Sequence, residues 1–141
     1  MPSTTLLASL VAISIAWQFP TGRYDGSAQD PYISVTCFFE DDGHPGISVY
    51  LEAQCDPHGS YATSKHSMRV TRNPADPKGF VLTPAEKASS DFLEFIDELN
   101  QICPGRGFIA DDFSEFTVTS TGRLEIREES RQVTIKKAGD V

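Results

Sequence analysis

The sequence predicts an α+β fold: an antiparallel β-sheet of about five to six strands with one amphipathic helix packed on one face. Two observations carry that expectation. Residues 82–105 form one segment whose start, period and stop all agree on a helix. Elsewhere the chain breaks into short runs of alternating apolar and polar residues separated by turn-forming residues, the pattern of half-buried strands. A helix with one apolar stripe must bury it, and a sheet is the partner that the rest of the chain offers.

The helix is read from its ends inward. Thr83 is a good N-cap, Pro84 suits the first helical position, and Glu86 stands three residues after Thr83 to complete a capping box. Phe92, Phe95, Ile96, Leu99, Ile102 and Cys103 then recur at three- and four-residue steps, with Asp91, Glu94, Asp97, Glu98 and Asn100 on the other face. Pro104 and Gly105 stop it.

Among the strands, residues 32–39 and 47–55 form an antiparallel hairpin across a polar loop with two glycines. Alternation puts Ile33, Val35, Cys37 and Phe39 on one face, and Ile47, Val49, Leu51, Ala53 and Cys55 on the matching face of the second strand. A short strand follows at 67–72. After the helix, the Phe108-Ile109 pair is placed to plug a sheet edge, residues 115–119 and 123–128 flank a turn at Ser120-Thr121-Gly122, and Val133 and Ile135 mark a last strand. Residues 19–31 and 73–79, rich in Pro, Gly and Asp, read as connectors. A chain of 141 residues that is 39% hydrophobic supports one core.

The first residues bear on compartment. Residues 6–17, LLASLVAISIAW, are too short to span a bilayer and have the length of a signal-peptide apolar region, with Ser14-Ile15-Ala16 as a cleavage site. Residues 1–16 are therefore expected to be a secretory signal, leaving 17–141 as a single domain of about 125 residues. In composition they resemble the secretion signals of small eukaryotic secreted proteins, fungal ones included. A rival reading takes residues 11–19 as a core strand, since Val11, Ile13, Ile15, Trp17 and Phe19 alternate with smaller or polar residues. It would make the chain an intracellular adaptor or subunit.

The net charge of -8 and pI near 4.7 argue against nucleic acid or an anionic membrane as partner, since both need a basic surface. The basic residues Lys65, His66, Arg69 and Arg72, and Arg123, Arg127, Arg131, Lys136 and Lys137, read mainly as solvated strand faces. Cys37, Cys55 and Cys103 all fall on predicted core faces, and one disulfide is expected, joining Cys103 to Cys55 or Cys37. A bridge between the two strand cysteines is disfavoured: with Phe39 opposite Ile47, Cys55 lies roughly 20 Å beyond the partner of Cys37, whereas a disulfide tolerates at most about 7 Å between Cα atoms.

No catalytic motif is present, neither a nucleophile elbow nor a P-loop, dinucleotide fingerprint or zinc-protease helix. The loop holding Glu40, Asp41, Asp42 and His44 gathers carboxylates and an imidazole, which a small hydrolase would use if one carboxyl were desolvated; a solvated turn is the plainer reading. Cys55 and His58 stand at C-x-x-H spacing, a lone half-motif that does not make a zinc site, so no metal or cofactor is expected. Tyr24, Tyr32, Tyr50 and Tyr61 fall in loops or on outward positions, where tyrosine suits a protein interface. The expected function is a secreted, non-enzymatic protein that acts by binding another protein, as an effector, inhibitor or toxin-like ligand would.

Overall fold

A computed structural model describes residues 19–41 and 47–139. The signal sequence at 1–16, all but Phe19 of the rival strand at 11–19, and Asp42 and His44 lie outside the described residues. Along the chain run β1 (Gly22–Ala28), β2 (Ile33–Glu40), β3 (Ile47–Gln54), β4 (Ala62–Thr63), β5 (Met68–Arg72) and β6 (Gly79–Leu82). The helices α1 (Pro84–Lys87) and α2 (Ser90–Ile102) follow, then β7 (Glu115–Val118), β8 (Leu124–Glu128) and β9 (Arg131–Gly139).

The strands pair antiparallel in the order β1, β2, β3, β5, β6, β7, β8, β9, and β9 returns to pair with β1. The sheet is therefore closed. Eight strands form the barrel, and β4 adds a short pairing to β3 at Glu52 and Ala53. The expected α+β fold with a helix covering one face of a sheet is corrected to a closed antiparallel β-barrel. The physical reason is that each strand alternates, so closing the sheet buries its apolar face against itself and leaves the helix only an end to cover.

The alternation read from the sequence gives inward positions that are buried: Val35, Cys37, Leu51, Val70, Val133 and Ile135. Phe80, Phe116 and Ile126 join them on strands whose faces the sequence left unassigned, while outward positions carry Thr36, Glu52, Glu125, Arg127 and Lys136. Inside, Phe39, Phe80 and Phe116 meet with ring centroids 5.1 to 5.9 Å apart, and Phe80 and Phe116 stack. Tyr24 and Phe19 extend this cluster, at 5.7 Å from Phe39 and 6.1 Å from Phe80. Aromatic rings of this size fill the interior of an eight-stranded barrel with side chains.

Two strands of the ring were not legible as strands. β1 lies in the stretch read as a connector, and β6 in the stretch taken as connector and helix start. β1 has only Tyr24 as a large apolar residue, and its composition disguises its role: a Cβ on Gly26 would stand 2.2 Å from the Thr134 carbonyl oxygen of β9. Glycine there allows the approach that closes the ring. The β2–β3 register also differs from expectation, with Phe39 opposite Val49 rather than Ile47. A two-residue shift keeps every side chain on its own face, so the facial assignments survive.

The helical segment divides in two. Thr83 caps α1 by accepting from the Glu86 N–H at 3.3 Å, as expected, but the Thr83 N–H goes to the Arg69 carbonyl, so the reciprocal half of the box is not made. Ser89 then caps α2, accepting from the Phe92 N–H at 3.2 Å while its hydroxyl donates to the Glu86 carbonyl at 2.6 Å. A strong second cap inside the segment ended the first helix early. α2 turns Phe92, Phe95, Ile96 and Leu99 inward. Phe95 meets Phe113, which meets Phe108, at 5.8 and 5.6 Å, and these rings close one end of the barrel.

Replacing Gly26 by Ala is expected to lower stability by about 2 kcal/mol, because the added carbon must displace strand backbone rather than a side chain. Urea unfolding monitored by circular dichroism would show it, and an unchanged midpoint would mean that the β1–β9 seam is looser than the structure has it.

Candidate functional site

The helix-capped end is assembled from segments distant in sequence: the β1–β2 turn, the chain from the end of β3 through β4, the helices with the linker to β7, and the β8–β9 turn. Two devices fasten them. Cys103, at the C-cap of α2, is bonded to Cys55 just past β3, with the Cα atoms 5.9 Å apart. Of the two pairings expected for Cys103, the one to Cys55 forms. Cys37 is the free cysteine among the described residues; it points into the barrel, where burial pushes its thiol pKa up and leaves it inert.

The second device is ionic. Glu128 is wholly buried, and its two oxygens accept from Arg106 Nη2 at 3.2 Å and Arg131 Nε at 2.8 Å. Arg106 also grips Glu129 through Nε, 3.0 Å from each carboxylate oxygen, and through Nη2. The same two guanidiniums reach the β1–β2 turn, Arg106 donating to the Tyr32 carbonyl and Arg131 to those of Gln29 and Pro31. Buried Asp112 accepts from the N–H groups of Ile109 and Glu129, both at 2.9 Å. Glu129 and Ser130 form the two-residue β8–β9 turn, with φ of 50° and 64°. That left-handed geometry suits a hairpin but costs non-glycine residues about 1 to 3 kcal/mol each. The bonds to Glu129 from both its ends offset part of it.

Burial, and then the hydrogen bond with Glu129, push the Glu128 carboxyl up to about 7 against the pull of Arg131. Arg106 holds Glu129 below the ordinary carboxyl range. Two carboxyls with pKa values driven apart are the raw material of acid and base catalysis. Here, however, Glu128 is sealed from solvent with both oxygens engaged by guanidiniums, so no substrate can reach it. The pair is a structural tie.

The outer surface of this end has a different character. Tyr61, Leu93 and Ile109, exposed by 53%, 46% and 58%, are the large hydrophobic side chains exposed among the described residues. All three belong to the capping segments. Leu93 lies on the flank of α2 that also carries Asn100 two turns along, and the Asn100 side-chain amide bonds both backbone groups of Phe108, the neighbour of Ile109. On the opposite flank, Glu98 accepts from the Thr63 N–H at 2.9 Å, two residues from Tyr61. The helix thus stands between the two other exposed apolar residues. A separate groove of ≈ 540 Å³ runs along the barrel wall between α1 and the β5–β6 turn, floored by Thr71, Val81 and Leu82. Lys87 and Glu115 at its rim are already paired, with Asp111 and Arg127.

The residues singled out from sequence separate in this frame. Tyr61 lies on the exposed face, Tyr32 and Tyr50 are half-buried, and Tyr24 is a core residue packed on Phe39. Glu40 and Asp41 are exposed at the end of β2, far along the barrel from the helix-capped end. Cys55 is taken by its disulfide and has no thiolate to offer beside His58. Sequence reasoning missed Arg106, Glu128, Glu129 and Arg131 as a group, although consecutive glutamates followed closely by an arginine in a hairpin turn were a readable hint. It assigned Phe108 and Ile109 jointly to a plug; Phe108 is buried, with Arg106 5.2 Å above its ring, and Ile109 is not.

Comparison with protein-family models, with curated proteins and with solved structures finds no match for this chain.

Glu128 binds its proton more tightly folded than unfolded, so its contribution is full below the ordinary carboxyl range and is lost as pH rises through about 7. Glu129 acts oppositely, losing its contribution only as pH falls through its lowered value. Unfolding free energy is therefore expected to decline from about pH 5 to about pH 8, and Glu128→Gln to flatten that slope in urea melts; stability rising over this window in the native chain would refute the assignment. The double change Cys55→Ser with Cys103→Ser is expected to cost about 2 to 4 kcal/mol, read in the same melts.

Proposed function

We propose that this chain is a small secreted protein that acts by binding another protein, and that the helix-capped end of the barrel is its binding face. The observation that carries the reading is the gathering of Tyr61, Leu93 and Ile109 on segments of that one end, while the large apolar side chains on the outside of the described barrel strands, such as Phe38 and Tyr50, are at least half-buried. Exposed apolar residues grouped on a polar-rimmed surface are the usual mark of an interface. The fastenings beneath them favour the same role. A face held by a covalent bond and a buried ion network loses little freedom when a partner docks, so more of the contact energy appears as affinity.

The disulfide fits an oxidising compartment, which supports secretion. The wall residues Glu125, Arg127, Thr134 and Lys136 put charge and polarity where a lipid-facing barrel would carry an apolar band. Among the described residues, no helix is long and apolar enough to cross a membrane.

Two measurements test the proposal. Protein recovered from culture medium is expected to begin after Ala16 by N-terminal sequencing, and an intact start in secreted material would remove the signal-peptide step. A photo-crosslinking amino acid placed at Leu93 or Ile109 is expected to trap a discrete adduct from extracellular fractions, whereas one at Thr134 on the wall traps none. Equal trapping at all three positions would sink the face.

A further inference from the structure

We infer that the partner of the helix-capped end presents a basic amphipathic segment, with Lys or Arg flanking an apolar residue; this rests on the reading that this end is the binding face. α2 carries Asp91, Glu94, Asp97 and Glu98 and has no Lys or Arg. Two of these carboxylates are occupied within the chain. Asp91 stands 3.8 Å from His66 Nε2, and Glu98 takes the Thr63 N–H.

Glu94 and Asp97 are exposed, and neither has an ion pair or hydrogen bond among the described residues. Asp97 lies one turn along from Leu93 on the same face, and Glu94 follows Leu93 about 100° around the helix, at the edge of that face. This geometry constrains any partner. A surface that covers Leu93 must also take water from Glu94 and Asp97, and burying a carboxylate without a counter-charge costs more than the leucine contact returns. A wholly apolar partner is therefore penalised, and an acidic one is repelled by these groups and by the net charge of -8. A segment whose cations meet Glu94 and Asp97 while its apolar residue meets Leu93 satisfies all three. Exposed charges of this kind attract at a distance, so association should weaken with salt.

The test uses two fluorescein-labelled synthetic peptides with leucines at the same positions, one with lysine and the other with glutamine at the polar positions. Fluorescence anisotropy against the whole chain is expected to show binding of the leucine–lysine peptide that weakens at high salt. Leu93→Ser, and Glu94→Lys with Asp97→Lys, are each expected to weaken it by about tenfold or more. Glu40→Lys with Glu125→Lys makes the same change of net charge away from the helix, and is expected to weaken binding no more than about threefold. If the leucine–glutamine peptide binds as tightly as the leucine–lysine one while Leu93→Ser still weakens both, the basic partner is overturned and the face stands. If the two double variants lose binding equally, overall charge rather than this face attracts the peptide, and the inference falls. No binding of the leucine–lysine peptide, or binding indifferent to Leu93→Ser, overturns it as well.

Discussion

The pairing of β1 with β9 is the constraint on which the rest of the molecule depends. Without it the sheet would be an open ribbon with one apolar face, and something would have to cover that face. With it, the face becomes an interior, filled by Phe39, Phe80, Phe116 and the aliphatic side chains around them. The pairing is possible because Gly26 has no side chain where β9 crosses. A side chain at this position would crowd the seam on which closure depends.

Closure also explains the place of α2. A barrel has two ends, and a helix with one apolar stripe suits an end as well as a face. Lying across the end, the helix touches β3 and β4 and is otherwise held by loops, which fix it less firmly than strand pairing would. The fastenings make up the difference by two unlike kinds of physics. The Cys55–Cys103 bond restricts the unfolded chain, and its benefit is nearly indifferent to pH. The Arg106, Glu128, Glu129 and Arg131 network satisfies buried charges in the folded chain, and its benefit changes with proton concentration.

Much of the fold was legible locally and little of it globally. The inward faces of β2, β3, β5 and β9, the turn at Gly122, the cap at Thr83 and the helical stripe depend on spacings within a few residues, and all were readable. Closure was not, because its decisive residue is a glycine whose meaning lies in a strand more than a hundred residues away, and because β1 lacks the apolar alternation that announces a strand. The disulfide was legible because three cysteines leave few pairings and strand geometry removes one. The candidate face was half legible: Tyr61 was named for its exposure, whereas Leu93 and Ile109 acquire meaning only once the end they share has been assembled. The ion network was legible only in its local part, Glu128, Glu129 and Arg131 around one turn; Arg106 meets them only once the fold is assembled.

The order of the strands around the ring bears on how the chain finds its fold. Apart from the β1–β9 seam, each barrel strand pairs with the barrel strand before and after it along the chain, so most of the ladder can assemble as hairpins and short meanders at little entropic cost. The seam is the exception. It brings together the two most distant strands, so it carries the largest loop-closure cost in the ring. A chain in which that seam is open exposes the facing edges of β1 and β9. Until they meet, those two edges are free to pair with other chains.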